Sequence, residues 1–574
     1  MRTAPNTSGP RKYFRPMTRS SLTILLLTVL SLSAAAQPVE PFVDHWDAKK
    51  TIKKSEGLMV NGREWGEWKF YDPQGRLTEQ ADFKSGDRDG HVRIFYPGSD
   101  QLQHDGWFKR GVQDSVITSY YKSGQVMEQG AYELGVKDST WSYWYADGRP
   151  LLKELWAKGI TLSLEAWDRD SVQTLIKGEG FVRTYYESGG VAELGNYKGG
   201  VRSGEQTAYW PAGNPKVQGS WVGGVRHGEW KWFHSNGKPE KVTAYKADKL
   251  DGPYANYFSS GLPNVTGWHI ADQKDSLWTW YLTTGKKDME GPFRNGLREG
   301  VWKFWYPNGE VSSTGGFVAD REQGEWVYFY EGGQFWKKGS FTAGEKDGVW
   351  TTWYESGQKL QEGPYIRGKE EGEWQSWFST PGSGAGAGSQ LKTIGTFVAG
   401  RMTGLWRGFF PDGQPDYEGG YKDDLKDGPW KLYTESPPGK DIGGRVKEEG
   451  GYMDGRKSGR WVTYNINGIA VAEGNWINGT PTGAWTYFDD AGVKMREMGF
   501  LNGEPDGPCV VYDQRGRVIT RTNYRAGRLH GTQTTFDTDG RPTKTTEYED
   551  GQMKKAEPVP VEKPRGGGVP GGGR

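Results

Sequence analysis

The chain of 574 residues has little cysteine, little aliphatic bulk and almost no net charge. Its single cysteine, Cys509, excludes an intrachain disulfide, so packing and hydrogen bonds must supply the stability. Hydrophobic residues make up only 34%, which argues against a conventional core of Leu, Ile and Val. The net charge of +1, from 73 basic and 72 acidic residues, gives no electrostatic footprint for nucleic acid or an anionic membrane.

Aromatic residues and glycine take the place of the missing aliphatic residues. The chain contains 87 Gly, 28 Trp, 30 Tyr and 22 Phe. Rings supply apolar surface, and the near-zero net charge argues against a solvated coil, which combines few aromatics with a large net charge. The composition therefore predicts a folded chain whose apolar surface comes from rings.

Residues 1–36 are typical of a secretory signal peptide. Basic residues precede an apolar run and a cleavage site of small residues before Gln37: Arg11, Lys12, Arg15 and Arg19, then Leu22–Leu32, then Ala34–Ala36. The apolar run is too short to span a bilayer comfortably. We expect an exported protein of the periplasm, cell envelope or extracellular space, with membrane contact only through an uncleaved signal segment. Whether translation starts at Met1 or Met17 stays open.

A 24-residue repeat organises the rest of the chain. Nineteen full repeats begin at residues 57, 81, 106, 130, 171, 195, 219, 243, 267, 291, 315, 339, 363, 395, 419, 450, 474, 498 and 522. The predicted domains are the signal peptide 1–36, an N-terminal linker or cap 37–56, repeats 57–153, a degenerate repeat or interruption 154–170, repeats 171–551, and a disordered Pro/Gly-rich tail 552–574.

Five positions of the repeat, counted from 1 to 24, carry nearly constant residues. Position 12 is Trp in twelve repeats, position 15 is aromatic in all 19, position 3 is aromatic in 16, and positions 10 and 19 are each Gly in 16. The exceptions at position 10, Ser115, Ser139 and Ser276, each follow Asp, so a small residue is required there. Because positions 12 and 15 differ by three, either a bulge separates them or rings occupy both faces of the strand.

Each repeat is predicted to form a β-hairpin. An aromatic-rich strand covers positions 11–16, a tight turn closes at position 19, and a second strand runs into position 3 of the next repeat. A second turn between positions 6 and 10 links the hairpins. Insertions at Ser99, Pro381–Gly388 and Pro437 fall in the hairpin loop, where they cost little. The predicted fold class is all-β, with about 19 antiparallel hairpin repeats in an elongated twisted sheet or solenoid.

The repeat resembles the MORN repeat. Two repeats illustrate the pattern Gly-x-Trp-x-x-aromatic-x-x-x-Gly: Gly228, Trp230, Phe233 and Gly237, then Gly300, Trp302, Trp305 and Gly309. The likeness covers roughly residues 57–551 and looks most like the bacterial MORN variant of YwqK-type antitoxins of toxin–antitoxin systems. The resemblance implies a hairpin fold that acts as a scaffold or binding module without catalysis. The antitoxin role fits poorly, because export would separate the chain from a cytoplasmic toxin.

Position 16 is the candidate binding ridge. It is aromatic in eleven repeats between Tyr96 and Phe410 and polar in the last five, so it changes character along the chain. Rings about 9.6 Å apart could stack on sugar rings or dock a protein strand, and packing against a second layer is the alternative. The candidate residues are Tyr96, Tyr121, Tyr145, Tyr186, Trp210, Tyr306, Tyr330 and Tyr354.

No catalytic, metal or cofactor site is expected. The seven histidines are scattered over different repeats without metal-ligand spacing. No Ser/His/Asp or paired-carboxylate set stands out from the repeat pattern. Cys509 takes the place of Trp at position 12 and is interpreted as a small buried substitute, not a nucleophile.

The sequence favours an exported, non-enzymatic repeat scaffold that binds another protein or builds a cell-envelope assembly. The alternative is a module that binds a glycan or the cell wall, since hairpin repeats rich in Gly, Trp and Tyr also occur in wall-binding proteins. A third hypothesis is the antitoxin component of a toxin–antitoxin system, which requires that residues 1–36 do not direct export. A nucleic-acid partner is not expected.

Overall fold

A computed structural model describes residues 38–379, 389–436 and 443–560. The predicted signal peptide, the insertions Pro381–Gly388 and Pro437, and residues 561–574 lie outside the described residues. All regular structure within the described ranges is β-strand. The described residues divide into two compact units: the first holds those up to Gly180 with Gly199–Val201, and the second holds Phe181–Lys198 with those from Arg202 onward.

Strands of two kinds alternate along the described residues. In a regular repeat the first strand covers positions 7–15, and the second covers position 21 to position 4 of the next repeat. In chain order the described strands are β1 (Val39–His45), β2 (Lys53–Val60), β3 (Arg63–Tyr71), β4 (Leu77–Lys84), β5 (Asp87–Phe95), β6 (Leu102–Lys109), β7 (Val112–Tyr120), β8 (Val126–Glu133), β9 (Val136–Trp144), β10 (Pro150–Ala157), β11 (Ile160–Trp167), β12 (Gln173–Ile176), β13 (Glu179–Tyr185), β14 (Val191–Lys198), β15 (Val201–Tyr209), β16 (Pro215–Val222), β17 (Val225–Phe233), β18 (Pro239–Lys246), β19 (Lys249–Tyr257), β20 (Pro263–Ile270), β21 (Gln273–Tyr281), β22 (Lys287–Arg294), β23 (Leu297–Arg298), β24 (Gly300–Trp305), β25 (Val311–Val318), β26 (Arg321–Phe329), β27 (Phe335–Thr342), β28 (Glu345–Trp353), β29 (Lys359–Ile366), β30 (Lys369–Glu370), β31 (Gly372–Trp377), β32 (Leu391–Val398), β33 (Arg401–Phe409), β34 (Pro415–Lys422), β35 (Leu425–Tyr433), β36 (Val446–Met453), β37 (Arg456–Tyr464), β38 (Ala470–Ile477), β39 (Thr480–Phe488), β40 (Lys494–Leu501), β41 (Glu504–Tyr512), β42 (Val518–Arg525), β43 (Arg528–Leu529), β44 (Gly531–Phe536), β45 (Pro542–Glu549) and β46 (Gln552–Pro558).

Neighbouring strands in the chain pair antiparallel, as β17 illustrates. It pairs with β16 on one side and with β18 on the other, and β18 pairs in turn with β19. Where the first strand of a repeat is divided, as in β23 and β24, both pieces still pair with the preceding strand, β22. The pairing confirms the all-β class and the hairpin repeat, and it makes the fold a series of contacts between chain neighbours.

The turn at positions 16–20 follows the prediction. In one repeat the Tyr306 N–H donates to Glu310 O at 2.8 Å and the Gly309 N–H donates to Tyr306 O at 2.8 Å. Gly309 has a φ of 98°, which explains why position 19 is usually Gly. The described insertion at Ser99 lies in this turn, and the strands on either side of Pro381–Gly388, β31 and β32, pair with each other.

The turn that links hairpins is shorter than predicted. Only positions 5 and 6 form it, both with positive φ, as at Ala247 (51°) and Asp248 (65°), which is the conformation of a two-residue hairpin turn. The predicted turn at positions 6–10 is therefore wrong. Its charged residues begin the next strand instead, as Lys249 does in β19.

Position 10 is a bulge inside that strand, and not the end of a turn. Between the pairs Gln218–Lys231 and Ser220–His227, one residue of β16 faces three of β17. Gly228, in the bulge, has a φ of 69°. The exceptions adopt the same conformation: Ser115, Ser139 and Ser276 have φ of 59–63°, and their hydroxyls donate to the preceding Asp carboxylates. The small residue is required because the backbone is left-handed there.

Rings occupy both faces of the sheet. Beyond the bulge, β17 pairs regularly with β18, so Trp230 and Trp232 share a face, with ring centroids 5.9 Å apart. Phe233, at position 15, lies on the other face. It pairs with Pro239, and Glu240 is an extra, unpaired residue of β18 next to this pair. We call the face that carries position 12 the Trp face, and the other the opposite face.

Each Trp at position 12 lies flat against the glycine at position 1 of the same repeat. A Cβ atom on that glycine would lie 2.0–2.4 Å from the indole Cδ2. The indole N–H donates to the backbone carbonyl of position 2 at 2.9–3.3 Å. All twelve Trp make this contact: Gly57/Trp68, Gly130/Trp141, Gly219/Trp230, Gly267/Trp278, Gly291/Trp302, Gly315/Trp326, Gly339/Trp350, Gly363/Trp374, Gly395/Trp406, Gly419/Trp430, Gly450/Trp461 and Gly474/Trp485.

Larger residues at position 1 occur only where position 12 is not Trp. Ala81 pairs with Val92, Thr243 with Tyr254 and Met498 with Cys509. Position 1 and position 12 therefore share one volume, which the two residues divide between them. The covariation of the two positions is visible in the sequence.

The interruption predicted at 154–170 lies later in the chain. β10 and β11 form a regular hairpin, in which Leu155 pairs with Leu162. The turn that follows also has the usual hydrogen bonds, from the Asp168 N–H to Val172 O and from the Ser171 N–H to Asp168 O. Most of the missing residues come from β12, which has four residues where other second strands have eight. The strands on either side, β11 and β13, have eight and seven residues instead of nine, so the period is lost over three consecutive strands.

The two ends of the array also differ from the predicted boundaries. β1 and the start of β2 form a hairpin within the predicted cap 37–56. At the other end, Asp550 and Gly551 form a linking turn, and Gln552–Pro558 pairs with β45. The tail predicted at 552–574 is therefore wrong for residues 552–558, which continue the ladder because they satisfy the backbone groups of β45.

We expect Gly315→Ala to destabilise the protein by about 1–3 kcal/mol, the usual range for overpacking. The added Cβ would lie 2.0 Å from Cδ2 of Trp326, which is buried and held by its own hydrogen bond. The control is Gly195→Ala, whose Cβ would meet nothing closer than 3.8 Å. Urea unfolding of both variants tests this, and equal midpoints would contradict the shared-volume account.

Candidate functional site

Position 16 joins neighbouring repeats by hydrogen bonds. Each of the eight residues of the predicted ridge donates a hydrogen bond from its phenol O–H or indole N–H to a backbone carbonyl oxygen of the next repeat, at a donor–acceptor distance of 2.6–3.1 Å. The acceptor belongs to the last residue of the strand that precedes the same turn in that repeat. These residues are Tyr96, Tyr121, Tyr145, Tyr186, Trp210, Tyr306, Tyr330 and Tyr354. The structure therefore brings the predicted residues into one kind of inter-repeat contact.

This geometry limits what the ridge offers a ligand. All eight side chains are half-buried, and their polar tips are engaged within the fold. Ring faces, not hydroxyl groups, remain for a ligand to contact. The role of these rings in binding stays a prediction.

The polar residues at the end of the position 16 column stabilise the turn in another way. The carboxylates of Asp489, Asp513 and Asp537 accept hydrogen bonds from backbone N–H groups of their own turns. These contacts lower the pKa of Asp513. Position 16 thus changes from a contact between repeats to an Asx turn within one repeat, which accounts for its change of character.

Basic residues cover the rings of the Trp face. All nine Lys or Arg at position 8 lie with their charged group 3.7–5.9 Å from an aromatic ring centroid: Arg88, Lys137, Arg202, Arg226, Lys274, Arg298, Lys346, Lys426 and Lys457. Burial against the rings lowers the pKa of Lys274 and Lys426. These are cation–π contacts, and the bulge at position 10 brings position 8 onto the Trp face.

Rings at position 14 lie between the Trp residues of successive repeats. Phe304 has its centroid 6.1 Å from Trp302 and 6.2 Å from Trp326, with interplanar angles of 29° and 28°. Tyr328 continues this column to Trp350 at 6.4 Å. The rings of the Trp face are thus packed against one another and covered by cations, so that this face is largely satisfied internally.

The opposite face of the second unit carries a row of exposed apolar side chains at position 4. Each is 50–58% exposed: Val222, Ile270, Val318, Ile366, Val398, Met453, Ile477 and Leu501. Exposed apolar residues at position 11, such as Val301 and Val349, lie on the same face. We call the position 4 residues the apolar row. In other repeats of this unit the same position carries Lys246, Arg294 or Lys422, so apolar and basic side chains alternate along part of the column.

One cluster of a hydroxyl, an imidazole and a carboxylate lies outside these columns. Ser119, buried on the Trp face, donates to the Glu128 carboxylate at 3.1 Å and lies 3.0 Å from His104 Nδ1. Here Ser lies between His and Glu, whereas a catalytic triad needs His between the nucleophile and the carboxylate. Among the described residues, no group of three His, Cys, Asp or Glu is arranged to hold a metal ion, and no helix could cross a membrane.

Comparison with protein families identifies the hairpin unit. The model described as the MORN repeat variant matches residues 226–247, 298–318, 346–367 and 402–423. These segments are similar to the MORN repeat variant. Each runs from position 8 to position 4 or 5 of the next repeat, so the family unit coincides with one hairpin, such as β17 with β18. No curated protein matches the chain.

Solved structures show only a distant likeness. The crystal structure of TcdB2-TccC3-Cdc42 is 10% identical, with a TM-score of 0.13, and the match covers 90% of this chain and 31% of that chain. The Photorhabdus luminescens Tc holotoxin pore with the TccC3-D651A mutation gives 10% identity and a TM-score of 0.13, covering 89% and 32%. The chain thus spans about a third of the length of those chains. Likenesses this low support no argument about function.

We expect Tyr330→Phe to destabilise the protein by about 0.5–1.5 kcal/mol, the net contribution of one hydrogen bond. The change removes the donor to Trp353 O and leaves the ring in place. Tyr281→Phe is the control, since the Tyr281 hydroxyl makes no hydrogen bond to the described residues. Thermal unfolding of both variants tests the contact. Equal destabilisation of the two would show that position 16 does not join the repeats.

Cys509 should react slowly in the folded protein. The residue is 3% exposed and burial raises the pKa of its thiol, so less thiolate forms at a given pH than in an exposed cysteine. With an aromatic disulfide reagent at pH 8, we expect slow labelling of the native chain and rapid labelling in denaturant. Rapid stoichiometric labelling of the native chain would contradict this and show that the thiol at position 12 is accessible to the reagent in this repeat.

Proposed function

We propose that this protein is an exported, non-enzymatic repeat scaffold that binds another protein through its apolar row. The observation that carries the proposal is the difference between the two faces in the second unit. Rings of the Trp face pack against one another and carry cations, whereas the apolar row is half-exposed. Repeat arrays commonly bind partners along one extended surface.

Export is supported by the sequence of residues 1–36. An apolar run preceded by basic residues and followed by three alanines is the pattern of a cleaved signal peptide. A partner in the cell envelope follows from that proposal. Fractionation of cells that express the native chain tests export. Recovery in the envelope or the medium supports it, and recovery in the cytoplasm bound to a toxic partner would favour the antitoxin hypothesis.

Introducing charge at position 4 tests whether the partner binds the apolar row. The triple variant Ile270→Glu, Val318→Glu and Ile366→Glu should reduce recovery of the partner, in affinity purification from the compartment of the protein, by roughly tenfold or more, because it places charges at a desolvated contact. All three side chains are at least half-exposed, so the fold should tolerate the change.

The matched control uses exposed lysines of the same column that precede the apolar row, Lys84→Glu, Lys109→Glu and Lys198→Glu. It makes larger charge changes at equivalent places and should retain the partner within about twofold, as expected of peripheral charges. Equal loss in the two triple variants would contradict docking on the apolar row. The glycan alternative would be favoured instead if the protein were retained on peptidoglycan and the retention were abolished by Tyr306→Ala, Tyr330→Ala and Tyr354→Ala.

A further inference from the structure

The ring column of the Trp face is interrupted in several repeats, and one of these places lies between Trp374 and Trp406. Where other repeats have a ring at position 14 or 23, this place has Ser376 and Thr393, and a cavity of about 280 Å³ lies beside them. The hydroxyls of Ser376 and Thr393 are hydrogen-bonded to each other. The next repeat also lacks a ring at position 14, but Tyr417 fills that place and stacks on Trp430 at 5.6 Å.

Four rings line the cavity. Tyr365 and Trp374 meet edge to face at 5.2 Å, Trp374 and Phe397 at 5.9 Å, and Phe397 and Trp406 at 5.2 Å. Three of these rings, Tyr365, Trp374 and Trp406, are themselves nearly buried, so the walls are fixed by the fold. The cavity is therefore a preformed aromatic site near the small end of the usual size range of ligand sites.

The charge at this place is opposite to that of the preceding repeat, whose Lys346 lies with its Nζ 4.5 Å from the Tyr365 ring centroid. Position 8 is Glu370, whereas nine other repeats place Lys or Arg over the rings there. Glu370 lines the cavity. Burial, followed by a hydrogen bond to the Glu370 carboxylate and by its charge, raises the pKa of Tyr365 to about 12. No basic side chain in the described ranges forms an ion pair with Glu370, and position 8 of the following repeat is Met402, which is uncharged.

We propose that this cavity binds an organic cation, an alkylammonium or a guanidinium group, supplied by a ligand instead of by the chain. The rings offer the faces that attract cations, and the carboxylate offers the counter-charge. Nine places on the Trp face already hold a cation at 3.7–5.9 Å from a ring centroid, so the repeat accommodates such a contact. The site does not depend on the proposed function.

Binding of choline and of its neutral carbon isostere, 3,3-dimethylbutan-1-ol, to the full chain tests the proposal by calorimetry at low ionic strength. We expect choline to bind saturably and at least roughly tenfold more tightly than the isostere, as a desolvated cation–π site with a carboxylate predicts. N-acetyl-arginine methylamide is the second probe. Tighter binding of choline assigns the site to alkylammonium groups, and tighter binding of the arginine derivative to guanidinium groups.

Three variants locate the binding. Glu370→Lys supplies the cation of the other repeats, and Ser376→Phe supplies the missing ring, as Phe304 does elsewhere; each should abolish binding. Glu322→Gln is the control, because Glu322 is also at position 8 but Tyr328 fills the adjacent place in the column.

The Ser376→Phe change adds a contact, so it should keep the fold even if Glu370→Lys does not, and far-ultraviolet circular dichroism checks this. Equal affinity for choline and its isostere would overturn the proposal, as would unchanged binding in folded Ser376→Phe, or no binding of either cation to the unaltered chain.

Discussion

The contact between the indole at position 12 and the glycine at position 1 is the interaction on which the other features of the repeat depend. It lets a large ring lie directly on the backbone of the preceding strand, where any side chain would collide with it. Its N–H also satisfies a backbone carbonyl there, so burial of the indole leaves no polar group unpaired. Trp326 illustrates both features, with Gly315 beneath the ring and Gly316 O as the acceptor.

Several other constant positions follow from that contact. The ring at position 3 meets the indole edge to face, as Phe317 does with Trp326 at 5.2 Å. The left-handed residue at position 10 changes the alternation of the strand, so a cation at position 8 can lie over the same rings. Because each repeat packs chiefly on its neighbours, such a chain gains stability by addition of similar units, without a single central core.

Much of the fold could be predicted from the sequence because the repeat makes each position visible many times. Turn glycines such as Gly309 and the small residue at position 10 were identified in this way. The boundaries of the linking turn were not, since charged residues such as those after Asp248 resemble a loop although they begin a strand. The short strand Gln173–Ile176 was also missed, because a missing half-strand and an irregular fragment give the same shift in spacing.

The candidate sites were less accessible to sequence reasoning. The ridge at position 16 was recognised as unusual because its character changes, but its hydrogen bonds to the next repeat depend on distances that spacing alone does not give. The apolar row was missed because Lys246 and Arg294 alternate with its members and hide the column. Glu370 stands out only once the other residues at position 8 are seen to lie over rings.

Hydrogen exchange at the indole N–H groups, followed by nuclear magnetic resonance on the native chain, tests the central contact most directly. The twelve Trp at position 12 are at most 9% exposed and bonded to backbone carbonyls, whereas Trp107 and Trp268 are 52% and 43% exposed. The account predicts that the twelve exchange at least about a hundredfold more slowly than those two, since exchange requires local opening. Comparable exchange rates in both groups would contradict it.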